Sequence, residues 1–195
     1  MTRRIALLGL SGVGKSTLVE RLAEELPVLH LQASALIKAE QAYRAQNPDS
    51  SEVLRTGAVL SNQELMIAAF HRETANVILP VVFDGHSIID GMDGLIKIPA
   101  AVFLSLNLDA ICFLSAEPGT IFDRRKNDGT RPRPERDAAT LAEHQRIARE
   151  TARDIAGEIG CKFVEISHAD LEQLEGIIRA DCGKRIRETD EQSDE

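Results

Sequence analysis

A run of eight residues near the start of the chain has the residue types and the spacing that bind a phosphate chain. Residues 9–16 read Gly-Leu-Ser-Gly-Val-Gly-Lys-Ser, which fits the pattern GxxxxGK[ST]. The three glycines let the backbone curl so that successive N–H groups converge on one anion. In this pattern the Lys15 ammonium reaches the outer phosphates and the Ser16 hydroxyl ligates Mg²⁺. The predicted cofactor-binding residues are Gly9, Ser11, Gly12, Val13, Gly14, Lys15, Ser16 and Thr17.

The residues on either side of this run predict the strand and helix that must hold it. Residues 5–8 are an apolar run typical of a buried strand. The residues after Lys15 continue as an amphipathic helix with Leu18, Leu22 and Leu26 on one side, and its first turn adds a positive dipole end. Strand, loop and helix in this order are the context that the motif requires. A glycine-rich turn with an incidental lysine is the weaker interpretation.

Asp84 is the second candidate, because it ends the apolar run Val81-Val82-Phe83. P-loop proteins place a carboxylate beside Mg²⁺ at the end of such a strand, so we expect Asp84 and Ser16 to be the metal ligands. A surface aspartate is the alternative. His86 follows closely, and it is predicted to contact the acceptor or to be a strand-end histidine bonded to backbone.

A third group of candidates is a set of basic side chains between residues 121 and 136. This segment carries Arg124, Arg125, Lys126, Arg131, Arg133 and Arg136 against Asp123, Asp128 and Glu135, a local charge of +3. Six cations in a proline-rich loop repel one another unless an anion gathers them, and guanidinium groups suit phosphate oxygens. A solvated charged loop is the alternative. The predicted catalytic residues are Lys15, Asp84, Arg124, Arg125, Arg131 and Arg133.

Length and composition favour one domain. The chain has 195 residues, of which 43% are hydrophobic, enough for one good core. No run of about 18 apolar residues occurs, so we expect a cytoplasmic protein without a membrane partner. The net charge of −8 argues against a nucleic-acid partner. Residues 188–195 carry −5 of it, which predicts a disordered acidic tail behind a domain of residues 1–187. The three cysteines have no metal-binding spacing.

Alternation of strands and helices predicts the fold class. Strands are expected at residues 5–8, 28–31, 81–84, 109–114 and 162–166, with helices at about 62–78, 140–158 and 171–178 among others. Residues 90–94 predict a turn. The pattern is typical of an α/β protein with a parallel sheet covered by helices on both faces, whose ligands bind at the carboxyl ends of the strands.

The sequence resembles the archaeal-type adenylate kinases, a family of P-loop nucleoside monophosphate kinases. The resemblance rests on the P-loop, on residues 84–87 and on motifs between Arg124 and Gln145. It implies the five-stranded nucleoside monophosphate kinase fold, ATP and Mg²⁺ as cofactors, an acceptor-binding part at about 33–72 and a lid at about 124–138. It further implies Arg55 and Arg72 at the acceptor phosphate, Arg124 near the donor base, and a homo-oligomer. Residues 41–63 and 90–98 depart from the family pattern.

The first hypothesis for function is therefore a nucleoside monophosphate kinase that phosphorylates AMP or a related nucleotide with ATP. A monophosphate acceptor needs no general base, because it is largely dianionic at neutral pH. A small-molecule hydroxyl kinase on the same fold is an alternative, in which Asp84 would accept the hydroxyl proton. An ATP-binding switch or assembly factor is the third.

Overall fold

The fold consists of a parallel sheet, a small hairpin and eight helices in the part of the chain that the structure, a computed structural model, describes. Residues 2–44, 47, 49–50, 53–56, 59–91, 94–129 and 133–180 are described. The strands are β1 Arg4–Leu8, β2 Leu29–Gln32, β3 Val81–Gly85, β4 Ile88–Gly91, β5 Gly94–Lys97, β6 Ala110–Leu114 and β7 Lys162–Ile166. The helices are α1 Lys15–Glu25, α2 Ala33–Tyr43, α3 Val53–Thr56, α4 Val59–Thr74, α5 Ala100–Ser105, α6 Pro118–Asn127, α7 Ala138–Glu158 and α8 Leu171–Arg179.

Five parallel strands form the central sheet in the order β2-β3-β1-β6-β7. All five residues of β3 and of β6 are buried, so both faces of the sheet are covered. This confirms the predicted fold class. Leu7 of β1 pairs with Asp84 of β3, so the P-loop that follows β1 and the carboxylate that ends β3 share one edge of the sheet. The fold therefore brings the first two predicted sites together.

Aromatic and aliphatic side chains between this sheet and its helices make the core. Phe70, Phe103 and Phe113 are among the largest side chains that are fully buried. Phe70 of α4 packs edge-to-face on Phe83 of β3, with ring centroids 5.9 Å apart. Asp84 is the next residue after Phe83, so this packing anchors the strand end that carries the carboxylate.

The antiparallel hairpin of β4 and β5 is the main difference from the sequence prediction, which had only a turn at residues 90–94. Ile88 pairs with Lys97, Asp90 with Leu95 and Gly91 with Gly94, so three residues of the predicted turn belong to the strands, and residues 92 and 93 lie outside the described residues. Each strand has four residues, and β5 is largely exposed, so neither shows the length or alternation that predicts a strand.

Two helices begin earlier than their patterns predicted. Helix α4 begins at Val59 and not at residue 62. Helix α7 begins at Ala138 because the Asp137 carboxylate accepts a hydrogen bond of 2.7 Å from the backbone N–H of Thr140 and caps the helix. None of the helices in the described ranges is both long and apolar enough to cross a bilayer. Residues 188–195, predicted to be a disordered tail, lie outside the described residues.

Candidate active site

The P-loop has a backbone that only glycine adopts without strain at two positions. Gly12 and Gly14 have φ values of +88° and +99°. A Cβ atom on Gly14 would lie 2.7 Å from the His168 ring, and one on Gly12 would lie 2.9 Å from Cγ of Arg125. Gly14 is also the residue before α1, and no side chain of the described residues caps that helix. The first N–H groups of α1 are therefore directed at the loop, as an anion site requires.

Lys15 and Asp84 form a buried ion pair at the centre of the site. Both side chains are 6% exposed, and Nζ of Lys15 lies 3.6 Å from Oδ1 of Asp84. The same ammonium donates to the Gly9 carbonyl at 3.2 Å and lies 3.3 Å from Nε2 of His86. Burial by itself would raise the pKa of Asp84, but the Lys15 charge, with His30 and His86, lowers that pKa to about 2. Asp84 is therefore an anion at neutral pH.

The two predicted metal ligands, Ser16 and Asp84, both accept a hydrogen bond from the side-chain amide of Gln32. Nε2 of Gln32 donates to Oγ of Ser16 at 3.1 Å and to Oδ2 of Asp84 at 3.4 Å. Hydroxyl and carboxylate oxygens this close together are the donors that Mg²⁺ prefers, so the residues present fit the predicted ion. Gln32 was not predicted. It ends β2 in register with Asp84 of β3, a pairing that the sequence alone does not reveal.

Two of the predicted arginines lie against the P-loop. Nε of Arg125 donates to the Ser11 carbonyl at 2.8 Å, and Nε of Arg133 donates to the Ser11 hydroxyl at 3.0 Å. Both side chains are 8% exposed. Arg133 also donates to Oδ2 of Asp128 at 2.6 Å. Burial lowers the pKa of Arg125, and the carboxylate of Asp90 opposes that shift. The alternative of a solvated loop does not describe these two side chains.

Arg124 contacts the backbone of the P-loop. Its Nη1 donates to the Val13 carbonyl at 2.6 Å, and Nε2 of His168 lies 2.7 Å from the same oxygen. His168 follows β7 and was not predicted, because no motif surrounds it. Arg131 lies outside the described residues. Arg124 and His168 thus share one carbonyl acceptor of the P-loop.

One cavity of about 370 Å³ begins at the P-loop and extends between β3, the hairpin and helices α2–α5. Its donor half is lined by residues 10–12, 14–17, Asp128 and Arg133. Its other half, for which we use the name acceptor chamber, is lined by the ten apolar side chains of Ala33, Ile37, Leu54, Val59, Met66, Phe83, Ile89, Ile98, Val102 and Phe103. Gln32, Ser34, Gln63, Asp84 and His86 add polar groups. The site therefore joins a phosphate-binding loop to an apolar pocket.

Of the predicted acceptor-binding residues, His86 lines this cavity and Arg72 does not. Arg72 is ion-paired with the Glu40 carboxylate, which also accepts a hydrogen bond of 2.7 Å from Arg44. The Arg72 guanidinium lies 4.5 Å from the centroid of the Tyr43 ring. The hydrogen bond from Arg72 and, to a smaller extent, the one from Arg44 lower the pKa of Glu40 below its ordinary value. Arg55 belongs to α3, and its side chain lies outside the described residues. These contacts connect α2 to α4.

Comparison with known families identifies the domain. Residues 8–142 match the AAA domain family, a stretch longer than half of the chain. The chain belongs to this family. As a member of the AAA domain family it resembles the adenylate kinase of Thermoplasma acidophilum, with 27% identity over 149 residues, which cover 75% of this chain and 79% of the relative. The adenylate kinase of Methanoculleus marisnigri is 28% identical over 184 residues, which cover 88% and 93% of the two chains.

Solved structures agree on the fold of this AAA domain protein. Shikimate kinase from Bacteroides thetaiotaomicron has a TM-score of 0.56 and 18% identity, covering 91% of this chain and 99% of that one. Shikimate kinase from Acinetobacter baumannii, in complex with shikimate, has a TM-score of 0.59 and 16% identity, covering 91% and 93%. The predicted enzyme class, an ATP-dependent phosphotransferase with a P-loop, is confirmed by the family match and the adenylate kinase relatives.

Proposed function

We propose that this kinase transfers the γ-phosphoryl group of ATP to a nucleoside monophosphate, with AMP as the first candidate. The observation that supports this most is the cavity in which the P-loop and Asp84 open onto an apolar acceptor chamber. The adenylate kinase relatives, which cover most of the chain, support the same acceptor.

The lining of the acceptor chamber favours a flat ring over a polyhydroxylated acid. Ten apolar side chains, among them Phe83 and Phe103, would leave the hydroxyl groups of a sugar acid without hydrogen-bond partners. A nucleobase instead stacks its faces on apolar walls and needs a few polar groups at its edge. The amide of Gln63 and the hydroxyl of Ser34 are groups of this kind in the chamber. The chamber thus supports a nucleotide acceptor.

The residues of the donor half support in-line phosphoryl transfer. An acceptor phosphate oxygen forms a bond to the γ-phosphorus, the bond from that phosphorus to the β,γ-bridging oxygen breaks, and ADP leaves with that oxygen. Lys15 and the P-loop N–H groups would hold the donor phosphates, and Arg125 and Arg133 would stabilise the charge on the transferred group. Ser16 and Asp84 would hold Mg²⁺, which neutralises phosphate charge when it is bound. The protein contributes position and electrostatics.

One observation favours a second candidate, a kinase that phosphorylates a hydroxyl group. In the described part of the chain, the lysine and arginine side chains that line the cavity are Lys15 and Arg133, both in the donor half. An uncharged acceptor, such as a nucleoside, would suit a chamber of that composition. Asp84 would then have to accept the hydroxyl proton. Its pKa of about 2 makes it a weak base at neutral pH and suits a metal ligand better, which is why we rank this candidate second.

A coupled assay of ADP formation tests the proposal. The panel contains AMP, CMP, UMP and GMP with their deoxy forms, then nucleosides, then shikimate and gluconate. We expect turnover with at least one monophosphate. Strict preference for a hydroxyl acceptor would reject the first candidate, and ATP hydrolysis that no acceptor accelerates would instead support a switch or assembly ATPase.

The Lys15→Ala variant tests the site in the same assay. We expect it to abolish transfer with an unchanged fold by circular dichroism, because the ammonium has no substitute at the donor phosphates. Lys162→Ala, which removes an exposed lysine of β7, is the matched control and should keep normal activity. Near-normal transfer by Lys15→Ala would show that the phosphate site has been assigned wrongly.

A further inference from the structure

Asp90, which the sequence placed in a simple turn, gathers three basic side chains from three parts of the chain. Its side chain is 10% exposed, and its two oxygens face different partners. Oδ2 lies 3.4 Å from Nη1 of Arg125 in α6 and 3.6 Å from Nδ1 of His144 in α7. Oδ1 accepts from Nη2 of Arg136 at 3.2 Å, and the same nitrogen lies 3.5 Å from the Gly91 carbonyl. One carboxylate of the β4–β5 hairpin thus joins the hairpin to the segment predicted to be the lid.

The contact with Arg125 continues to the P-loop. Arg125 donates through Nε to the Ser11 carbonyl at 2.8 Å and through Nη1 to Asp90 at 3.4 Å. A guanidinium group is planar, so two fixed nitrogens determine the direction of the third. The charges around Arg125 also assign Asp90 a role. Arg133 and Arg136 both disfavour the charged form of Arg125, whereas Asp90 favours it. Without the Asp90 carboxylate, the repulsion that Arg133 and Arg136 exert on the Arg125 charge would lose the attraction that offsets it.

We propose that Asp90 is a positioning residue for phosphoryl transfer, which holds the Arg125 guanidinium in one orientation over the P-loop and offsets the charge of its arginine neighbours. The β4–β5 hairpin then holds in place the arginine side chains that bind the triphosphate. A guanidinium that is oriented before ATP binds loses less conformational entropy on binding, and it meets the transferred group without rearrangement. The identity of the transfer step rests on the proposed function, but the effect on ATP binding does not.

The test is a double-mutant cycle on nucleotide affinity. Asp90→Asn removes the charge with little change of shape, and Arg125→Gln removes the group that Asp90 is proposed to orient. Binding of a fluorescent, non-hydrolysable ATP analogue is titrated for the wild type, both single variants and the double variant. We expect about a tenfold loss of affinity in Asp90→Asn, and no further loss when Asp90→Asn is added to Arg125→Gln. Asp90→Glu should recover part of the loss.

The control and the contrary results are well defined. Asp123→Asn makes the same charge change on α6 at an exposed position and should bind the analogue as the wild type does. Melting temperatures are measured for every variant. An Asp90→Asn protein that is less stable but binds normally, or losses that add fully in the double variant, would overturn the proposal. If Asp90→Asn does not fold, Asp90→Ser, which also removes the charge, replaces it in the cycle, and wild-type affinity there would overturn the proposal equally.

The two proposals fail separately. Should no acceptor of the panel be phosphorylated, the proposed function fails while the binding cycle is still measured. Should a monophosphate be phosphorylated, the cycle is repeated on kcat and on the acceptor KM. We expect Asp90→Asn to lower kcat about tenfold and to leave the acceptor KM nearly unchanged, because Arg125 contacts Ser11 of the P-loop and does not line the acceptor chamber.

Discussion

The Asp84→Asn substitution removes one negative charge from the centre of the site and leaves the side-chain shape almost unchanged. The buried Lys15 ammonium, 3.6 Å away, then loses its carboxylate partner. In the wild type the pKa of Asp84 is lowered from 3.8 to about 2. Because one pKa unit corresponds to about 1.4 kcal/mol, the charged form contributes about 2–3 kcal/mol to stability at neutral pH. We expect the variant without nucleotide to be less stable by about this amount.

The pH dependence of that difference follows from the direction of the pKa shift. Folding lowers the pKa, so the unfolded chain binds the proton more readily than the native protein does. The contribution is therefore complete above about pH 4 and is lost as the pH falls towards 2. Asparagine does not titrate, so the difference between wild type and variant should shrink over the same range.

Urea unfolding of both proteins at pH 7, 5, 4 and 3 measures this difference. Asp154→Asn, which changes an exposed carboxylate of α7, is the matched control and should behave as the wild type at every pH. A difference that stays constant from pH 5 to 3, or a variant more stable than the wild type at pH 7, would refute the electrostatic reasoning. In the kinase assay the same variant should lose about 100-fold or more in kcat, since it lacks a predicted metal ligand.

Three further substitutions test other parts of the site. Gly14→Ala should lower the stability of the protein by about 1–2 kcal/mol, because Gly14 has a φ of +99°, and it should weaken ATP binding. The control Gly157→Ala, in α7 with open space around it, should not destabilise the protein. Unfolding and nucleotide titrations of both variants check these expectations. Arg72→Gln should lower the melting temperature by breaking the contact between α2 and α4, and an acceptor KM raised tenfold at unchanged stability would instead support the predicted phosphate contact. Ser16→Ala should lower kcat and raise the Mg²⁺ concentration needed for half-maximal rate, and an unchanged Mg²⁺ dependence would argue against its metal role.

The sequence by itself determined the parts of this protein that depend on neighbouring residues. The P-loop is contiguous, and its glycines and lysine act through local backbone geometry, so the pattern at residues 9–16 predicts both structure and chemistry. Asp84 was found for a similar reason, because a carboxylate at the end of an apolar strand has a defined place in a parallel sheet. The alternation of strands and helices then determined the fold class.

The tertiary structure alone decided which distant side chains meet. Gln32 reaches Ser16 and Asp84 because β2 pairs with β3. The register of that pairing cannot be predicted from the sequence of either strand alone. Asp90 became a partner of Arg125 through a hairpin too short and too exposed to show a pattern. Arg72 has the positive charge that an acceptor phosphate needs, yet the packing of α2 against α4 places Arg72 in an ion pair with Glu40. A residue's type and its neighbours specify what it can bind, whereas its partner depends on contacts across tens of residues that only the folded chain brings together.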